Sequence, residues 1–447
     1  MVRVTRLGGR AHCISERDRA SPRPDFIVFP AKATLTLLLS HFCYESEFTM
    51  NDQSTIPGLR EAEANLISIS GDRTDKLFEP VQISGLSLKN RIVMPPMTRT
   101  MSPNGVPGTA NAAYYRRRAK GGVGLVITEG TWVPHEAASN EEDVPRMYGD
   151  DALQGWTEVV REVHAEGTPI FSQLWHVGQM KQSVIEGLYE PKPAGYVPPR
   201  RIGPSGLFGG IGSTTTLDGE PATQADLDAV VETFSKAAVN AQQVGFDGVE
   251  IHAAHGYLFD QFFWEGTNRR QDRYGGSLRN RIRLAVETVS EMRRATGPDF
   301  PISLRISQWK IQDFGAKNFR TPAELEEFVG PLADAGVDVF HCSQRRFWEG
   351  EFDSNCNLAA WTKKLSGKPT ISVGSVAMTG EHIDTLMGQP SNVAGIGVML
   401  EMMERGDFDL IAVGRGLLVD PDWPQKVRAG GLDQLLPWNP DVLKSLS

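Results

Sequence analysis

From Asn90 onward, short runs rich in Val, Ile and Leu recur along the chain, each ending in Gly, Pro or a polar cluster and each followed by a stretch with helical apolar spacing. The runs fall at 91–94, 123–129, 169–175, 248–252, 302–307, 337–342, 369–373 and 410–413. Between them lie amphipathic helices. In 226–244 the residues Leu227, Val230, Val231, Phe234, Ala237, Ala238 and Ala241 share one stripe, and in 278–295 Ile282, Leu284, Val286, Val289 and Met292 do the same. Strand and helix alternating in this way require crossover connections and therefore parallel pairing. Eight such units in roughly 330 residues predict an α/β fold, a single (β/α)8 TIM barrel, rather than two doubly wound sheets. No GxGxxG fingerprint and no P-loop follows any run. Residues 81–88, centred on Gly85, read as a hairpin that plugs the barrel floor. The connections after strands 3 and 6, residues 176–221 and 343–357, exceed the roughly two to six residues usual for such loops. Both are expected on the C-terminal face, where barrels of this kind keep their chemistry.

Composition narrows the class. The chain has 447 residues, a formal net charge of -9, 40% hydrophobic and 23% charged residues. Its acidic balance, without a Lys/Arg block, speaks against a nucleic-acid partner. The longest early apolar stretch, 35–39, is far short of the roughly 20 residues of a membrane span. Four cysteines, Cys13, Cys43, Cys342 and Cys356, include no CxxC pair, which excludes a disulfide framework and points to a reducing, cytoplasmic setting. The first 49 residues are Arg-rich, yet Glu16, Asp18 and Asp25 spoil the acid-poor signature of a transit peptide. A targeting segment and an extension without a role, with Met50 as the functional start, both remain open. Residues 1–74 are expected to be a poorly ordered extension and 75–447 the functional domain.

Residues at the C-terminal ends of barrel strands converge on one mouth. In order they are Pro96, Met97 and Thr98; Glu129 and Gly130; Gln173 and Trp175; His252, His255 and Tyr257; Arg305; Gly374 and Ser375; Gly414 and Arg415. Small residues with one amide, one guanidinium and an aromatic platform suit a flat heteroaromatic cofactor. The glycine-bearing loops after strands 7 and 8 suit its phosphate. Other readings compete at single positions: His252 and His255 beside Glu129 could hold zinc for a hydrolase, Trp175 could be core, and Cys342 at a strand end could be reactive, although a buried inert thiol is the better reading. The stretch 273–281 reads as a turn in which Ser277 caps the next helix.

The motifs Asn90-Arg-Ile-Val-Met-Pro-Pro-Met-Thr98, Gln173-Leu-Trp175, Val249-Glu-Ile-His-Ala-Ala-His-Gly-Tyr257, Arg273-Tyr-Gly-Gly-Ser-Leu-Arg-Asn-Arg281, Leu304-Arg305 and Val413-Gly-Arg415 give the chain a specific resemblance. Across about 77–437 it resembles the old yellow enzyme family of FMN-dependent ene-reductases. The resemblance implies that Thr98, Gly130, Gln173 and Arg305 contact the flavin ring, with Pro96 and Met97 beside them in the cofactor site. It places Gly374, Ser375, Gly414 and Arg415 on the phosphate, and Trp175 and Trp348 in the substrate pocket. It further implies that His252 and His255 hold a substrate carbonyl oxygen and that Tyr257 donates a proton to Cα after hydride from flavin N5 reaches Cβ. The reductant would be NADPH or NADH, the substrate a small-molecule enone or related electrophile, and the protein a monomer or homodimer without membrane or nucleic-acid partners. Thr98 stands where one branch has Cys, and the His/His pair departs from the His/Asn pair of the other branch. Larger relatives append an iron–sulfur cluster, and the absence of a Cys cluster after the eighth run argues against one here. A flavin-binding protein without turnover is the non-catalytic alternative.

Overall fold

The computed structural model describes residues 74–139, 141–180, 200–208, 216–217, 219–381, 385 and 388–447. The expectations for the first 73 residues, and part of the connection after strand 3, lie outside that set. Eight parallel strands close into a barrel. They are β1 Ile92–Met94, β2 Leu125–Trp132, β3 Ile170–Trp175, β4 Gly248–His252, β5 Ile302–Ser307, β6 Val339–Ser343, β7 Thr370–Val373 and β8 Leu410–Ala412. Each pairs with its sequence neighbours, and β8 pairs with β1 to close the ring. All eight predicted runs are strands of this barrel.

Strand alternation sorts the side chains into two shells. Val93, Leu125, Ile127, Phe171, Val339, Ile371, Leu410 and Ala412 form one cluster inside the barrel, and Ile83 and Leu88 close it from below. These last two come from the hairpin Val81–Ile83 with Leu86–Leu88, whose turn residues Ser84 and Gly85 both have positive φ, as a tight two-residue hairpin turn needs. The alternate positions, among them Val249, Ile251, Leu304, Ile306, Phe340 and Cys342, join the larger cluster facing the helices.

Helix ends follow local chemistry. In Gln224–Gln243, Thr223 Oγ1 accepts the Asp226 N–H at 3.2 Å while the Asp226 carboxylate accepts the Thr223 N–H at 2.7 Å, a reciprocal cap. Leu227, Val230, Phe234, Ala237, Ala238 and Ala241 of this helix are buried, whereas Val231 is only partly so. Full burial of side chains of the size of Leu, Val and Phe contributes about 1.5–3 kcal/mol each. The expected helix over 278–295 is broken at Ile282 into Leu278–Arg281, capped by Ser277 as anticipated, and Arg283–Thr296. Among the described residues no helix is long and apolar enough to cross a membrane.

Long connections are more common than the sequence suggested. Besides those after β3 and β6, the connections after β1, β2, β4, β5 and β7 also exceed six residues, and that after β4 carries the helices Leu258–Phe263 and Leu278–Arg281.

Candidate active site

The throat of the barrel is polar above its apolar floor. Inward positions of neighbouring strands bring Gln173, Glu250, Ser303 and His341 together: Gln173 Nε2 donates to Glu250 Oε1 at 3.0 Å, and Ser303 Oγ at 3.0 Å and His341 Nδ1 at 2.8 Å meet Glu250 Oε2. Burial opposes the Glu250 charge, but His341, Arg305 and Ser303 together hold the carboxyl below its ordinary value. Burial also depresses His341, which is therefore the neutral partner and donates through Nδ1. Glu250 thus stands as counter-charge to the buried Arg305. Sequence reasoning missed Glu250 and His341, although Glu250 lies two positions before His252 on the same face of one strand.

Above this layer an aromatic wall forms. Strand β2 runs to Trp132, three residues beyond its expected end, because an extra residue is accommodated between Ile127 and Gly130. At that irregularity the Gln173 N–H donates to Thr128 Oγ1 at 3.2 Å. The extension lets Trp132 stack on Trp175, with centroids 4.5 Å apart and planes 15° from parallel. A Cβ on Gly130 would lie 2.3 Å from the Trp175 ring, so glycine is required there. Trp175 in turn meets Tyr257 edge-on at 4.9 Å and His252 at 6.0 Å. It is both packed and at the mouth.

His252, His255 and Tyr257 converge as expected. The His252 ring is 5.1 Å from His255 and 4.7 Å from Tyr257, both nearly perpendicular. His255 lies at φ +63, a left-handed conformation costing a non-glycine residue about 1–2 kcal/mol. Its surroundings compensate: its N–H donates to Ser307 Oγ at 2.9 Å and its ring stacks on Trp309 at 4.5 Å. Below the turn, Asp260 accepts the Gly256 N–H at 2.8 Å and pairs with Lys310 at 2.8 Å, both fully buried. Burial first, then the Arg305 charge, pushes both histidines well below their ordinary pKa. They are neutral imidazoles across the neutral range.

Other expected residues are placed as follows. Thr98 is exposed four residues beyond the end of β1, Pro96 and Met97 are half-buried, and a Cβ on Gly414 would sit 3.7 Å from Pro95 and 3.8 Å from Met97. Gly374 and Ser375 begin the loop after β7 with φ +151 and +49, and a Cβ on Gly374 would lie 2.5 Å from the Gln344 carbonyl oxygen. Arg415 is buried and reaches this loop, donating to Gly380 O at 2.7 Å and Ser375 Oγ at 3.3 Å. Trp348 is half-buried against Phe347 at 5.0 Å, and among the described residues no ring contact joins it to the Trp175, His252 and Tyr257 cluster. Cys342 points outward to the helices and burial pushes its thiol up to about 12, so the mouth position belongs to Ser343.

Glu129 does not join the histidines, so the zinc set considered from sequence is not brought together. Its Oε2 accepts the Arg99 N–H at 2.8 Å, and Tyr115 donates to Oε1 at 3.4 Å. Burial raises this carboxyl from 4.5 to about 7 against the lowering effect of the Arg99 N–H. A carboxyl with a raised folded-state pKa contributes stability that is present below its unfolded value and lost as pH rises through the folded one. Stability is therefore expected to decline between about pH 4.5 and 7 in part through Glu129. Glu129→Gln keeps an acceptor for Arg99 and removes the ionisation, so its melting temperature should fall less steeply across that window. Superimposable profiles for parent and variant would contradict this.

The site could hold a flat, phosphorylated heteroaromatic. Arg305 Nε, His252 Nδ1 and Trp175 Nε1 are buried without a hydrogen-bond partner among the described residues. Unpaired buried polar nitrogens beside a throat carboxylate are costly unless a ligand edge meets them. Comparisons with known proteins agree. Residues 76–434 match the model of the NADH:flavin oxidoreductase / NADH oxidase family. The chain is similar to 12-oxophytodienoate reductase 7 of Oryza sativa subsp. japonica, 32% identical over 79% of this chain and 87% of that protein. It is also similar to an NADH oxidase of Thermoanaerobacter brockii, 32% identical over 80% of this chain and 52% of that protein, so it spans about half that relative's length. Morphinone reductase, solved in complex with tetrahydroNAD, aligns with TM-score 0.65 at 28% identity over 82% of this chain and 93% of that one. The fold is that of a flavin-dependent barrel oxidoreductase. The chain belongs to the NADH:flavin oxidoreductase / NADH oxidase family, the old yellow enzyme group, whose cofactors are FMN and NADH or NADPH.

Proposed function

We propose that this protein reduces the activated C=C bond of α,β-unsaturated carbonyl compounds. The observation that carries the reading is the convergence of two neutral imidazoles and a phenol at the barrel mouth, with the rings of His255 and Tyr257 each about 5 Å from that of His252. Pro96, Met97, Thr98, Gly130, Gln173 and Arg305 would hold the flavin ring, and Gly374, Ser375, Gly414 and Arg415 its phosphate. FMN, when bound, supplies a hydride to the substrate β-carbon and is replenished by the nicotinamide. His252 and His255 donate hydrogen bonds to the carbonyl oxygen, where negative charge grows during reduction, in the manner of an oxyanion hole. A neutral imidazole offers such a donor without giving up its proton. Tyr257 supplies the proton at Cα, since a phenol stays protonated at neutral pH and is positioned beside His252. Trp175 forms one wall of the substrate pocket and Trp348 a more distant part of its rim.

Phenol tests the donor pair, because a phenolate oxygen mimics the developing enolate. His252→Ala and His255→Ala are each expected to weaken phenol binding by about ten- to 150-fold, the worth of a hydrogen bond to a charged group. Flavin content should stay at the parental level. Parental phenol affinity in both variants would contradict the reading.

A further inference from the structure

Ser343 lies at the inward-facing end of β6, one position after Cys342, and is not among the residues that the resemblance assigns to the site. Its hydroxyl touches two of the residues already described. His255 Nε2 is 2.8 Å from Ser343 Oγ, and Arg305 Nη2 donates to the same oxygen at 3.4 Å. A serine hydroxyl has one proton to give and two lone pairs, whereas a guanidinium can only donate. Arg305 therefore occupies a lone pair and offers no acceptor for the serine proton. Among the described residues the one acceptor within reach of that proton is His255 Nε2.

We propose that Ser343 is a positioning residue that donates its hydroxyl proton to His255 Nε2 and so fixes His255 as the Nδ1–H tautomer. The inference rests on the proposed role of His255 in holding a carbonyl oxygen. With Nε2 committed to Ser343, Nδ1 is the nitrogen left to serve a ligand, and in this tautomer it is a donor. The opposite tautomer would put a hydrogen on Nε2, leave the buried serine proton without an acceptor, and present a bare nitrogen lone pair toward an electron-rich oxygen. The ring has little freedom to escape this choice. Its backbone is held at positive φ by Ser307, and its face is covered by Trp309 with planes 29° apart. Depression of the His255 pKa by burial and by Arg305 keeps the ring in a state with one N–H, so which nitrogen carries it decides whether it can donate. The contact also links the oxygen-holding ring to Arg305.

The test uses the full-chain holoenzyme with 15N-labelled histidine, read by two-bond nitrogen–proton correlation, with the His255 signal assigned by its loss in His255→Gln. The expected parent pattern is a protonated Nδ1 and a bare Nε2. Ser343→Ala should move His255 toward the Nε2–H form and weaken phenol binding on the order of two- to tenfold, and Ser343→Thr, which keeps the hydroxyl, should restore both. A residue that merely fills space would leave the tautomer alone. A parent with Nε2–H, or a tautomer unchanged in Ser343→Ala, would overturn the proposal. A parent with the expected tautomer that binds no phenol would instead overturn the carbonyl-holding role of His255 while sparing the Ser343 assignment.

Discussion

Tyr257→Phe is expected to slow nicotinamide-driven reduction of an enone by about 10²- to 10⁴-fold while leaving reduction of a quinone nearly unchanged. The substitution removes one hydroxyl and little volume. Tyr257 meets Trp175 edge-on and His252 at 4.7 Å through its ring, contacts that Phe reproduces, so the pocket should persist. An enone needs a proton delivered to carbon, which water supplies slowly. A quinone takes its protons on oxygen and exchanges them freely with solvent. Steady-state rates with both acceptors in parent and variant separate the roles. Equal slowing with both would mean that Tyr257 organises the mouth as a whole, and unchanged enone turnover would mean that the proton comes from elsewhere.

The second large effect is expected at Arg415. Its guanidinium is buried and donates through Nη1 to Thr385 Oγ1 at 2.6 Å and Ser391 Oγ at 3.1 Å, and through Nη2 to Gly380 O at 2.7 Å and Ser375 Oγ at 3.3 Å. The side chain therefore ties the end of β8 to the loop after β7, where Gly374 and Ser375 adopt positive φ. Arg415→Ala should weaken FMN binding about ten- to 150-fold and riboflavin binding far less, because only FMN carries the phosphate. Arg415→Lys should not restore affinity, since a point charge cannot reproduce the planar fork that meets these acceptors. Titration of the apoprotein with both ligands decides the matter. Equal losses would show that Arg415 acts only by organising the loop.

The eight strands could be read from sequence because each is short, apolar and closed by a breaker, and because barrel strands buried on both faces leave runs that periodicity detects. The strand-end residues His252, His255, Tyr257 and Arg305 followed from that frame and from the motifs around them. What escaped has a common cause. Trp132 lay beyond the expected end of β2, since a one-residue irregularity cannot be seen in a hydrophobic pattern. Ser343 was counted into the connection after β6 because the strand ends one residue later than expected, and one residue exchanges the inward face for the outward one. Glu250 and His341 were hidden as polar residues within apolar runs, where alternation alone would have placed both in the throat. Trp309 sits in a connection whose path no periodicity specifies. Glu129 was noticed for its chemistry, but its partners Arg99 and Tyr115 come from elsewhere in the chain and only the fold brings them together.

The central claim is that this barrel couples a nicotinamide to an activated alkene through its flavin. The most direct test is an anaerobic visible spectrum of the purified full chain. Addition of NADH or NADPH should bleach the flavin absorbance, and a subsequent stoichiometric addition of an enone should restore it with formation of the saturated carbonyl. A flavin that bleaches but is not restored by any enone, or one that no nicotinamide bleaches, would contradict the account.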